Sequence, residues 1–119
     1  MPPRLKKIKA IFYETAGGSK PVRTFLLGLP DEDRRIVGID IATVEYGFPI
    51  GMPVCRPVTN RPGLSEVRST IASGRVEARV YFAIEGGKMI LLAAHRGKDD
   101  QSAEIAKAMK RLGDYKRLN

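Results

Sequence analysis

Three strand-like runs at 64–71, 76–84 and 89–94, broken by Ser73-Gly74 and by Gly86-Gly87, constrain the fold more than any other feature. A Ser-Gly or Gly-Gly step between β-branched, alternating runs is a hairpin signal. The three runs therefore predict an antiparallel meander. The third, MILLAA, is apolar on both faces, which predicts an interior or covered strand. Residues 6–13, KKIKAIFY, alternate Ile8, Ala10 and Phe12 with Lys7 and Lys9 and read as a further half-buried strand.

Helices are predicted between and after these strands. Pro21 suits a first helical turn, with Ser19 as its cap and Val22, Phe25, Leu26 and Leu29 on the apolar side, before Pro30 stops it. Asp31, Glu32 and Asp33 place acid at the next N-terminus, where the helix dipole favours it. Val37, Ile41 and Val44 then form one stripe of a helix that Gly47 closes, and the two helices read as an antiparallel hairpin. Residues 48–62 contain four prolines and Gly51, which predicts a surface loop. A last helix starts near 100–102, with Ile105, Ala108, Met109 and Leu112 on one stripe. The order β-α-α-β-β-β-α describes an α+β fold, a small antiparallel sheet packed against a helical hairpin and a C-terminal helix.

The chain has 119 residues, enough for a single domain over 1–119. Its net charge of +8 favours a polyanionic partner, nucleic acid or an acidic protein. The longest wholly apolar run, 89–94, is far below the ~18 residues of a membrane span. No signal-peptide pattern stands at 1–10, so a cytoplasmic protein with no membrane partner is expected. One Cys and one His supply neither an internal disulfide nor a Cys/His zinc site, so no metal or cofactor is expected.

The first hairpin gives a sharper expectation. A two-residue Ser73-Gly74 turn puts Val67 opposite Val80 and Ile71 opposite Val76 on one apolar face. On the other face Arg68 meets Arg79 directly, with Glu66 opposite Tyr81 and Thr70 opposite Glu77. Like charges so placed repel by up to about 1 kcal/mol. Glu66 and Glu77, diagonal neighbours, offset this as surface ion pairs, or the two guanidiniums form a clamp for a phosphate. Thr70 and Tyr81 add neutral hydrogen-bonding groups, and Tyr81 a stacking surface.

The segments GLSEVR (63–68), RVEARVYF (75–82), ILLAAH (90–95) and EIAKAMKRLGDY (104–115) together resemble the HigB-like, phage-derived branch of the RelE/ParE toxin superfamily. Ala108, Arg111, Asp114 and Tyr115 match the ending of that family's last helix. The resemblance implies the toxin of a type II toxin–antitoxin module that cleaves mRNA on translating ribosomes without a metal. A helix-turn-helix antitoxin would be its partner. It leaves two alternatives, a ParE-like gyrase inhibitor and a degenerate member without nuclease activity. Arg68 and Arg79 fall at the family's strand arginines, and Lys98 at one of its loop lysines. Ser65 stands where relatives carry an aromatic, and RGKDDQS (96–102) replaces a longer, lysine-rich segment.

Metal-free RNA cleavage needs a base for the 2′-OH, fixed positive charge at the phosphorane and an acid for the leaving 5′-oxygen. Arg68 and Arg79 suit the charge role, and His95, Lys98, Glu66 and Tyr81 are the choices for proton transfer. A simple Gly86-Gly87 hairpin sets His95 opposite Ala78 on the core face, the place of a structural histidine. Tyr115 either stacks on a base or pins the last helix to the sheet. Cys55 with His95 is a further, weaker nucleophile–base pair.

Overall fold

The computed structural model describes residues 5–119, and they form an α+β fold around one five-stranded sheet. The elements run β1 (Lys9–Phe12), α1 (Pro21–Leu27), α2 (Asp31–Gly47), β2 (Cys55–Pro57), β3 (Ser65–Ile71), β4 (Val76–Glu85), β5 (Lys88–Arg96) and α3 (Gln101–Leu118). Strands lie in the order β1-β5-β4-β3-β2, antiparallel except that β1 runs parallel to β5. The three strands of the meander and all three helices fall where the sequence predicts them. β5 is interior, as its two apolar faces require.

Two departures change the sheet. The Pro-rich stretch contributes a short edge strand, β2, whose Arg56 pairs with Glu66. Proline at Pro57 is compatible with an edge, where no outer ladder bond is needed. β1 joins in parallel, a pairing that alternation alone cannot reveal because the period is the same for either direction. The turn after β1 closes on itself through Thr15 and Ser19, whose hydroxyls lie 2.9 Å apart, so Ser19 does not cap α1. Likewise α2 ends without a left-handed glycine, on Phe48.

Each face of the sheet has its own core. α1 and α2 cover one face through Val22, Leu29, Val37, Ile41 and Val44, against Val67, Ile71, Val80, Phe82 and Leu91. α3 covers part of the other through Ala108 and Leu112, against Leu64, Tyr81, Ile90 and Leu92. Period-two alternation in β3 and β4 and the 3.6-residue stripes of the helices produce this division.

The β3–β4 turn uses four residues, 72–75, and Ala72, Ser73 and Gly74 are all left-handed with φ of 53, 57 and 85°. Two side-chain-bearing residues in that region are costly unless neighbours hold them. The buried Asp33 carboxylate does so, accepting the Ala72 N–H at 3.1 Å from the first turn of α2. Because the turn has an even number of residues, the predicted register survives its greater length. Asp33→Ala leaves that N–H without its acceptor and should lower stability by about 1–3 kcal/mol. Urea denaturation checks this, and an unchanged midpoint would mean the turn holds itself.

Candidate functional site

The β3–β4 register brings Arg68 opposite Arg79, as the hairpin reading requires. The repulsion is offset by two carboxylates in different ways. Glu77, whose side chain is 36% exposed, bridges both guanidiniums: Arg68 Nη2 donates to Oε1 at 2.6 Å and Arg79 Nη2 to Oε2 at 2.8 Å. Glu66, only 2% exposed, lies beneath, with its Oε1 4.0 Å from Arg68 Nε and 3.8 Å from Arg79 Nε. Its one short bond comes from Arg56 Nε, at 2.7 Å. The sequence reading missed Arg56, since proline content disguised β2 as a loop. Three guanidiniums thus share two carboxylates.

Burial makes this more than a surface zigzag. The Arg79 side chain is 8% exposed, and its Nε and Nη1 are buried without a hydrogen-bond acceptor among the described residues. Arg68 Nε is in the same condition. A guanidinium has five N–H donors, and buried donors are normally satisfied. The cluster therefore presents donor capacity beyond what its own carboxylates take up.

His95 corrects the sequence expectation. From Glu85 to Phe82, β4 pairs with Lys88 to Leu91 as a simple hairpin would. The ladder then slips by one residue between Tyr81 and Phe82, so Tyr81 pairs with Ala93 and Arg79 with His95. This is a β-bulge: Leu92 and Ala93, adjacent in sequence, both pack on the α3 side. Since side chains alternate, one extra residue turns His95 from the core face to the face of Arg68 and Arg79. Arg111 of α3 donates through Nη1 to the Leu92 carbonyl at 2.8 Å, giving the bulged residue a partner outside the strand ladder.

His95 is buried and linked to Tyr81, whose hydroxyl lies 2.9 Å from Nε2, with the two rings stacked at 5.6 Å between centroids. Burial, and then the Arg79 charge, lower the His95 pKa from its ordinary value, with Glu104 and Asp100 opposing. The ring is accordingly neutral near pH 7. Burial, with help from Glu66, pushes the Tyr81 pKa up to about 12, so its hydroxyl keeps its proton. The neutral imidazole meets that hydroxyl at Nε2, as acceptor or as N–H donor according to its tautomer. Its Nδ1 is buried with no hydrogen-bond partner among the described residues. Tyr81 is wholly buried, so its ring is spent in the core under α3 and offers no stacking surface to a base.

The remaining sequence candidates lie around the cluster or beyond it. Lys98 is exposed in the loop after β5, one residue beyond Gly97, whose N–H donates to the Glu77 carbonyl at 2.8 Å. Tyr115 packs half-buried near Glu85 and Lys88, at the opposite end of the β4–β5 hairpin. Glu85 lies six strand steps from Arg79, about 20 Å, so Tyr115 pins α3 and does not reach the arginines. Cys55 points into the α1–α2 core, on the face opposite His95, which dissolves the proposed Cys–His pair. Thr70 is exposed beside Glu77 and, with Arg68, borders a shallow groove of about 550 Å³ whose far wall includes Ile36 and Asp40 of α2.

No family model matches the chain, and no curated protein matches it. What fold and site define is a class: a basic α+β domain with a partly buried arginine–carboxylate cluster flanked by a neutral histidine.

His95 is the sole histidine, so its ring resonances are read without assignment. Its titration midpoint should fall below the ordinary 6.5, and Arg79→Met, which removes the like charge, should raise it. Because the folded pKa is lowered, the unfolded chain binds the proton first as pH falls. Stability should be level above pH 6.5 as far as this group is concerned, then fall as the pH drops through the folded midpoint. A midpoint at or above 6.5 would contradict the burial of His95.

Proposed function

We propose that the chain is a RelE/HigB-like toxin of a type II toxin–antitoxin module, an endoribonuclease that cleaves mRNA on translating ribosomes. The observation that carries this reading is the unmet donor capacity of Arg79, on a face shared with Arg68 and a neutral His95. The α+β architecture, with two helices ahead of a meander and one after it, supports it further. So does the net charge of +8, which draws the protein to a polyanion.

In this reading Arg68 and Arg79 hold the scissile phosphate and stabilise the charge that builds on the phosphorane. His95 takes the 2′-OH proton at Nδ1, the ring nitrogen that no protein group engages among the described residues, while the buried Tyr81 hydroxyl holds the ring through Nε2. Lys98, free of ion pairs among the described residues, supplies a proton to the leaving 5′-oxygen. The fixed charge comes from side chains alone, and the protein acts in the cytoplasm, where a helix-turn-helix antitoxin neutralises it.

Induction of the wild-type chain should produce cuts in ribosome-bound mRNA, mapped by primer extension. Arg68→Ala and His95→Gln should each reduce cutting by about a hundredfold, the scale of lost charge stabilisation or acid–base catalysis. Wild-type cutting by both variants would remove the arginine–histidine face from the reaction. A DNA-damage response without RNA cleavage would replace this reading with gyrase inhibition.

A further inference from the structure

We propose that Glu77 is an internal competitor for the anion site, a carboxylate that occupies the place of a phosphate and must swing aside before one binds. The proposal rests on the reading that Arg68 and Arg79 receive a phosphate. Its basis is the bridge itself. One carboxylate oxygen meets each guanidinium, at 2.6 and 2.8 Å, so the two oxygens span the pair as two oxygens of a phosphate would.

The two glutamates are not equivalent. Glu66 is buried, is bonded by Arg56 and sits under both arginines, so it holds the cluster together whether or not a ligand is present. Glu77 is over a third exposed and beside the Arg68 groove, so its side chain has solvent to move into when an anion takes its place at the two guanidiniums. Arg79 Nε and Nη1 find no acceptor among the described residues while Glu77 is in place. A tetrahedral anion brings more acceptor oxygens than a carboxylate, so once Glu77 has left it can take up the two Nη2 groups and still offer an oxygen toward the cluster's unmet donors. Occupancy by Glu77 or by phosphate is mutually exclusive, because both need the same Arg68 and Arg79 donors. The consequence is a site whose affinity for any single phosphate is held down by its own side chain. A ligand that presents several phosphates gains additional contacts to the basic surface, so a polynucleotide displaces Glu77 where a lone anion does so poorly.

The test is titration with inorganic phosphate at fixed pH and ionic strength, following the His95 ring resonance opposite Arg79. Glu77→Gln keeps the side-chain shape and removes the charge. It should bind phosphate about tenfold more tightly than wild type, a change of about 1.4 kcal/mol. Glu77→Ala should move in the same direction, which guards against a folding defect in one variant. Glu85→Gln removes the same charge on the same strand, about 26 Å away, and should leave affinity unchanged. Equal gains in Glu77→Gln and Glu85→Gln would mean only diffuse charge and overturn the proposal. Phosphate binding by wild type that Arg68→Ala weakens, with no gain in either Glu77 variant, would overturn it while leaving the phosphate site standing. No phosphate binding by wild type or either Glu77 variant would overturn both.

Discussion

Two positive charges held directly across a strand ladder are the constraint from which the rest of the exposed sheet face follows. Arg68 and Arg79 cannot share that position without counter-charge, and the chain supplies it at two depths, Glu66 below and Glu77 at the surface. Burying Glu66 is tolerable only because three guanidiniums converge on it, one of them from the edge strand β2. Removing one partner from such a buried set typically costs about 3–5 kcal/mol, far more than the net worth of the pair. The cluster thus ties β2, β3 and β4 together on the face that α3 leaves partly open, and it leaves Arg79 with donors to spare.

The second determinant is one extra residue in β5. Without the bulge near Leu92, His95 would sit among the apolar side chains facing α1 and α2. With it, the imidazole stands opposite Arg79 and against Tyr81. α3 takes part at a distance, through the Arg111 bond to the Leu92 carbonyl and the packing of Ala108 and Leu112. A single helix therefore both closes the second core and fixes the strand irregularity that aims the histidine. That dual role links α3 to the site although, among the described residues, no hydrogen bond or ion pair joins its side chains to Arg68 or Arg79.

Much of this was legible in the residues. The pairing of Arg68 with Arg79 follows from turn chemistry and alternation, and it survived a turn of four residues because four, like two, preserves the register. Glu66 and Glu77 were visible as diagonal neighbours, though not that one is buried and the other bridges. Three features were hidden for physical reasons. β2 is three residues long and rich in proline, so no period betrays it. The bulge depends on how Leu92 and Ala93 pack beneath α3, and an unbroken apolar run carries no mark of where a strand gains a residue. Parallel pairing of β1 is decided by the path of α1 and α2, not by its own four residues.

The central claim is that a polyanion is received at the unmet donors of the Arg68–Arg79 cluster rather than by the basic surface at large. Arginine Nε–H resonances, recorded while a single-stranded oligoribonucleotide is added at fixed salt, test this most directly. The account predicts that the Arg79 Nε–H signal moves, saturably and together with that of Arg68. A shift confined to Arg117 and the C-terminal lysines, with Arg79 unmoved, would contradict it and leave only nonspecific attraction between a basic protein and a polyanion.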